Sequence, residues 1–573
     1  MTSQRLPLLV LVAGTMLVVS CTTSTQRLDL IVRGGQVLDG TGQPPQRMDV
    51  GIVGDRIVRI GDLSSEQAGQ VIDAAGLMVA PGFIDVQGQS GTTLLADGNG
   101  ESHLRQGITT EIIGESGSPA FWTPGSDDGE SLQPFGLTFD WKGFNGYFDK
   151  LRERGTTINV GTFVPATMVR RAIIGMDNRP PTADELVRME AMVDQAMRDG
   201  AFGLSSALIY VPGTFAKTDE LLALAKVAAK HKGIYISHIR GESFNLFNAI
   251  DEAIGIGRDA GLPVVIYHLK VGAKANWGRM NEAVAAIEKA NAAGLRVSAT
   301  MYPYAAGGTG LAATLPLWVQ EGGREKMLDR LKDPATRAKA RQEIETKLDG
   351  SHPTAQSPRG GDPVWENLLM AATFDGIQVA STPKDFDQSI IGKRISQIAA
   401  ERKADPWEVY FQLLIGSGGR IGALYHMMSE ADVATGLRAK FVTIGTDSSA
   451  LRSEGVLAQG SPHPRSYGTF PRVLGKYVRD DKVLSLADAV HRMTGLAAEQ
   501  MGIRDRGLIR DRQIADLVVF NAATVTDTAT YERPHQYPTG IEYVVVNGVT
   551  VLNPKGLTGA RPGRPVYGPA RQP

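Results

Sequence analysis

The sequence predicts an α/β fold: a (β/α)8, TIM-like barrel joined to a small β-sandwich made from both chain ends and carrying a lid-like insertion. Three observations predict it. Eight short apolar runs alternate with amphipathic stretches, the pattern of parallel βα units. Gly-punctuated alternating segments stand near both chain ends, and one interval late in the barrel is too long to be a plain connection.

The strand candidates are 83–89, 109–116, 158–165, 201–208, 234–239, 263–269, 296–303 and 441–447. Helical stretches with apolar residues three and four apart separate several of them, at 182–199, 218–231, 244–260 and 281–292. Eight such units point to a closed barrel over 81–504, in which chemistry gathers at the C-terminal ends of the strands. The flanking segments 28–80 and 505–560 carry alternating runs such as Asp49-Val50-Gly51-Ile52-Val53 and Tyr543-Val544-Val545-Val546-Asn547-Gly548. Neither is long enough to stand comfortably alone, so the two are expected to pair as the β-sandwich. The interval 305–440 opens with Gly307-Gly308-Thr309-Gly310-Leu311 and is expected to cover the pocket as a lid or inserted subdomain.

Among 573 residues, 42% are hydrophobic and 21% charged, ordinary values for a globular enzyme. Sixty Lys and Arg against 61 Asp and Glu leave no global basic field for nucleic acid, so a small molecule is the natural partner. Residues 1–21 read as a targeting segment: Arg5, an apolar stretch over 6–19, then Val18-Val19-Ser20-Cys21. It resembles a bacterial lipoprotein signal, which implies a mature chain lipidated at Cys21 in the cell envelope, facing the periplasm and touching the membrane through the lipid alone. An uncleaved helix here would be short for a membrane span. Cys21 is the only cysteine, so no internal disulfide forms and no thiol remains to ligate a metal.

His238 and His268 close consecutive strand candidates 30 residues apart, so two imidazoles can converge on one ion. Asp447 closes the eighth. Together with Pro81-Gly82-Phe83-Ile84-Asp85, Gln106-Gly107-Ile108-Thr109-Thr110, Ser237-His238-Ile239-Arg240, His268-Leu269-Lys270, Tyr302-Pro303-Tyr304, Gly445-Thr446-Asp447 and His463-Pro464-Arg465, these residues resemble the amidohydrolase superfamily. Within it they resemble the N-acyl-D-amino-acid deacylase group, over roughly 28–565.

The resemblance implies a zinc-dependent hydrolase of the amide bond in N-acyl-D-amino acids, with His238 and His268 holding the tighter zinc. The third ligand departs from the commoner pattern, which places a cysteine after the second strand; here the chain reads Gly114-Glu115-Ser116-Gly117. Glu115 is the better donor, because carboxylate binds zinc well and a neutral hydroxyl does not. Adjacent strand residues face opposite ways, so only one of Glu115 and Ser116 points inward without a bulge.

Asp447 matches the superfamily's proton-shuttling aspartate, and Lys270 and Tyr210 match anchors for the substrate carboxylate; Arg240, two residues past His238, could add charge. His463 lies in a segment that matches the family's pocket side. Gln87 and Gln89 stand where the family carries a His-x-His pair. Neutral amides are weak zinc donors, so one ion per chain is expected, with both glutamines turned to water or substrate. Two rivals use the same residues: an amidohydrolase of D-dipeptides, cyclic amides or carbamates, and a non-catalytic periplasmic binding protein or pseudoenzyme.

Overall fold

The computed structural model describes Met1 and residues 27–122, 132–346 and 365–571. Cys21 and the targeting segment lie outside the described residues. No helix among the described residues is long and apolar enough to cross a membrane.

Eight parallel strands follow the eight candidates in order: Phe83–Asp85, Ile108–Ile113, Asn159–Thr162 continued by Val164–Pro165, Gly203–Ala207, Ile234–His238, Val264–Ile266, Val297–Met301 and Val442–Ile444. Each pairs in parallel with the next. The ring closes where the last strand returns to the first: Gln89 N donates to Ser448 O at 2.9 Å and Asp447 N to Gln87 O at 3.0 Å. Period-two alternation sorts the side chains. Tyr235 and Ile266 pack with the helices, whereas Ile84, Ile112, Ile236, Val265 and Tyr267 form a separate buried cluster inside the ring. His238 is two residues beyond Ile236, and therefore also points inward.

The helices begin and end where their sequence says. Ala183–Asp199 starts on a capping box in which the Thr182 hydroxyl accepts from Glu185 N and the Glu185 carboxylate accepts from Thr182 N, and it stops at Gly200 in a left-handed turn. Thr218–Lys230, Leu246–Ala260 and Met280–Ala292 occupy the other three expected helical stretches.

Several strands stop short of the expected range at their C-terminal ends. The backbone enters the left-handed region at Gly114 (φ 103°), His268 (φ 36°) and Asp447 (φ 49°), which ends the ladder and re-aims the following atoms. Positive φ at a histidine and an aspartate is uncommon, and such residues cluster at functional sites.

Both chain ends enter one nine-stranded sheet, with Met78–Pro81 and Leu517–Phe520 antiparallel at the join. Leu30, Val50, Ile52, Val519 and Val545 share its apolar core. Between the seventh and eighth barrel strands, Gly307–Gly310, Gly422–Tyr425 and Ile377–Ser381 form a three-stranded antiparallel sheet. Helices pack on it around Ile344, Ile377, Tyr410 and Leu414, so the described residues of the long interval share a core of their own.

Candidate metal centre

Glu115, His238 and His268 meet at the C-terminal mouth of the barrel, and their ligand atoms all lie within 4.8 Å of one another. Glu115 Oε1 is 2.8 Å from His238 Nδ1 and 3.2 Å from His268 Nε2, and the two rings stand 4.4 Å apart, nearly perpendicular. All three residues are buried. Donors 2.0–2.2 Å from a tetrahedral zinc stand roughly 3.3 Å apart, so this set has the spacing and chemistry of three zinc ligands. The two imidazoles disfavour Mg²⁺ and Ca²⁺, which prefer all-oxygen sets.

Gly114 decides between Glu115 and Ser116. Its left-handed φ breaks the alternation after Ile113, and the next side chain, Glu115, turns into the barrel while Ser116 stays half-buried outside the cluster. A Cβ at 114 would lie 2.8 Å from the Thr162 hydroxyl, so the close approach of the third strand also requires glycine.

The two glutamines do something other than expected. Gln87 Nε2 and Gln89 Nε2 both donate to Glu115 Oε2, at 3.1 and 2.8 Å, so one N–H of each amide holds the carboxylate. One oxygen of Glu115 faces the imidazoles, the other the amides. Gly88 between them is forced, because a Cβ there would sit 2.0 Å from the Glu111 carboxylate.

Asp447 lines the same pocket, with its Oδ2 2.7 Å from Arg465 Nη1. Burial, reinforced by Glu115, raises its carboxyl pKa although Arg465, His268 and Lys270 oppose. Burial also acts on Glu115, but the two imidazoles hold that carboxyl well below its ordinary value. Burial and Lys270 press His268 down, yet Glu242, Glu115 and Asp447 together lift it to about 9.

Lys270 Nζ reaches Glu242 Oε1 at 2.6 Å and His268 Nδ1 at 2.7 Å, and Tyr210 lies edge-on to His238 at 5.3 Å; both line the pocket. Arg240 does not. Past the end of its strand the alternation no longer applies, and its guanidinium is bound by Glu252 at 2.9 and 3.0 Å and by the carbonyls of Thr214 and Ala216. It is a buried structural ion pair, which corrects the expected substrate contact. His463 is likewise committed: its Nε2 is 2.9 Å from Ala306 O and its Nδ1 accepts from Arg465 N.

Three pocket residues had no role assigned from sequence. Glu242 lies 2.8 Å from His268 Nδ1, in the loop just after Arg240. Tyr302 carries a buried hydroxyl with no hydrogen-bond partner, and Arg465 stacks over its ring at 4.7 Å while pairing with Asp447. The signal for the last two was present, since both belong to quoted motifs; Glu242 had none beyond proximity to His238.

Comparison with known proteins places this geometry. The model of the amidohydrolase family matches residues 388–552. A D-aminoacylase of Alcaligenes xylosoxydans xylosoxydans is 33% identical over 95% of this chain and 98% of its own length. The chain belongs to the D-aminoacylase-like amidohydrolases. A crystal structure of N-acyl-D-glutamate deacylase from Bordetella bronchiseptica, complexed with zinc and a phosphonate mimic of the tetrahedral intermediate, matches this amidohydrolase with TM-score 0.77 and 31% identity, over 95% of this chain and all of that one. A D-aminoacylase structure described by one-metal activation and second-metal attenuation of a binuclear centre matches with TM-score 0.76 and 32% identity, over 94% of this chain and all of that one.

Proposed function

We propose that this amidohydrolase is a zinc-dependent deacylase that hydrolyses the amide bond of N-acyl-D-amino acids to a carboxylate and the free D-amino acid. The observation that carries it is the convergence of Glu115, His238 and His268 beside Asp447 in one buried pocket. The relatives' names favour acylated D-amino acids over D-dipeptides, cyclic amides or carbamates.

Zinc held by Glu115, His238 and His268 would supply Lewis acidity toward the scissile carbonyl and acidify water. Asp447, its carboxyl raised by burial, takes a proton from the attacking water and returns it to the departing amine nitrogen. Lys270 and Tyr210, with Arg465 and the unpartnered Tyr302 hydroxyl, orient the substrate's carboxylate. Gln87 and Gln89 support a single-ion site: each gives one N–H to Glu115 and offers no imidazole to a second metal. The insertion acts as a lid over the acyl group, since Gly307, Thr309, Leu368 and Met427 reach the pocket. The sequence 1–21 supports anchoring of the mature chain through lipidated Cys21, facing the periplasm.

The test is zinc content by elemental analysis together with hydrolysis of N-acetyl-D- and N-acetyl-L-amino acids. Stoichiometric zinc and turnover confined to D-substrates are expected. Protein that stays empty when metal is supplied, or that turns over none of them, removes the proposal in favour of a binding-only role.

A further inference from the structure

At the end of the barrel opposite the metal pocket, a cavity of about 370 Å³ is lined by six arginines, Arg56, Arg504, Arg506, Arg512, Arg564 and Arg571, and by one acid, Asp505. The tail that carries Arg564 crosses the N-terminal ends of the barrel strands. Val160 N, at the start of the third strand, donates to Arg564 O at 3.1 Å, and Gly568 N donates to Gly200 O at 2.8 Å, just before the fourth.

Part of this set serves the fold. Arg506 is buried and pairs with Asp516, and Arg564 pairs with Asp55, which also lies 3.5 Å from Arg56. The rest is left open. The Arg504 guanidinium has no hydrogen bond or ion pair among the described residues, and Arg571 gives its Nη1 to neutral acceptors, Asn145 Oδ1 and Asp199 O. Arg512, 92% exposed, meets Asp511 at 3.6 Å. Six guanidiniums against the four carboxylates paired with them, Asp55, Asp505, Asp511 and Asp516, leave two positive charges in excess on a chain that is balanced overall. Ion pairing within the fold therefore does not satisfy the cluster. Val566 and Tyr567 add carbon to the same wall, a mixture that suits a phosphodiester with its glycerol attached better than a bare ion.

The start of the folded chain stands beside this cavity. Asp29, in the first strand of the nine-stranded sheet, accepts from Gly54 N at 2.7 Å, and the same turn carries Asp55 and Arg56. Cys21 is six positions before Arg27, so the chain between them spans at most roughly 20 Å. A lipid on Cys21 would hold this corner of the molecule at the bilayer surface.

We infer that the arginine cavity docks on anionic phosphodiester headgroups of the membrane that holds the anchor, and that it turns the metal pocket away from the bilayer toward soluble substrate. This rests on the reading of Cys21 as lipidated and is independent of the deacylase chemistry.

The experiment uses the full chain, expressed with its leader and reconstituted in vesicles of phosphatidylcholine alone or with an equal part of phosphatidylglycerol. Mass spectrometry first reads the lipid on Cys21. With the one natural thiol so blocked, a dye is placed on Glu499→Cys at the cavity end or on Glu454→Cys past the eighth strand, both exposed, and energy transfer to a headgroup-labelled lipid is measured. Transfer from position 499 is expected to rise, and that from 454 to fall, when phosphatidylglycerol is added, and about 1 M salt should cancel both changes. Exposed Arg504 and Arg512, changed by Arg504→Gln and Arg512→Gln, should each lower the ratio of docked to undocked protein about fivefold, and together about 25-fold. Transfer that ignores phosphatidylglycerol, or that the paired variant leaves unchanged, overturns the docking and leaves the anchor standing. Inorganic phosphate bound by the full chain in calorimetry, without preference for the anionic vesicles, overturns it in favour of a soluble anion. A Cys21 without lipid overturns the anchor and the docking with it.

Discussion

The amide clamp on Glu115 makes a quantitative prediction about metal affinity. Gln87 and Gln89 donate to one buried carboxylate oxygen at 3.1 and 2.8 Å. A hydrogen bond to a charged group contributes about 1.5–3 kcal/mol. Part of that is already present in the metal-free protein, so the share felt by the metal is smaller; groups that orient a ligand from behind typically change metal affinity by about 10–100-fold. Gln89→Leu should therefore weaken zinc binding by about tenfold, because Gln87 still holds the oxygen. Gln87→Leu should do the same, with some added loss because the Gln87 amide oxygen also accepts from Thr300. The double variant should lose more than the product of the two, roughly 300-fold or above, since Oε2 is then buried with no donor and the carboxylate is free to rotate. Zinc affinity is measured by competition with a chromophoric chelator, with far-ultraviolet circular dichroism as the check on folding. A double variant that folds normally and binds zinc within twofold of wild type would refute the clamp.

Four further outcomes follow from the same geometry. Asp447→Asn should lower kcat/KM by about 10²–10⁴-fold while zinc content stays at the wild-type level, which separates proton transfer from metal binding; retained activity would remove its role. His238→Ala should purify without stoichiometric zinc, and prolonged chelation of the wild type should abolish activity that returns when zinc is added back; full activity in a metal-free preparation would contradict the site. Arg240→Ala should destabilise the fold by about 3–5 kcal/mol, because Glu252 is left as a buried unpaired charge, and the folded fraction should keep its KM; a raised KM at unchanged stability would restore the substrate role that the structure denies. Thr182→Ala should cost about 1 kcal/mol through loss of the capping box, read as a small drop in the unfolding midpoint.

The barrel was legible because its strands and helices obey simple periodicities. All eight strand candidates and four helices appear in place, and the strand that carries His238 needed only alternation from Ile236 to aim it. What escaped lies beyond the strand ends, where φ turns positive and period two ceases to apply. Alternation could not choose Glu115 over Ser116, because the choice is made by Gly114. It also put Arg240 on the face of His238, whereas the chain has left the strand by then and Glu252 claims the guanidinium. Glu242 was invisible for a related reason: its contact with His268 and Lys270 joins two loops, and no local pattern encodes that.

The Gln87 and Gln89 pair is best understood through the hydrogen-bond donors it supplies to Glu115. A carboxylate that touches an ion with one oxygen must satisfy the other, and in a buried mouth hydrogen-bond donors or a second cation can do so. A histidine that binds a metal through one nitrogen has a single N–H left to donate, whereas a primary amide offers two N–H groups and no charge. Two amides at spacing two, separated by a glycine that the Glu111 carboxylate leaves room for, converge on Glu115 Oε2. Under the single-ion proposal, Gln87→His with Gln89→His should reverse this arrangement: two neutral amides, weak donors to zinc, give way to two imidazoles that can ligate a second ion beside Glu115 Oε2. The paired variant is therefore expected to gain zinc capacity, from one toward two ions per chain. A variant that stays at one ion, with unchanged affinity, would show that the amides are bystanders and that something else keeps the neighbouring subsite empty.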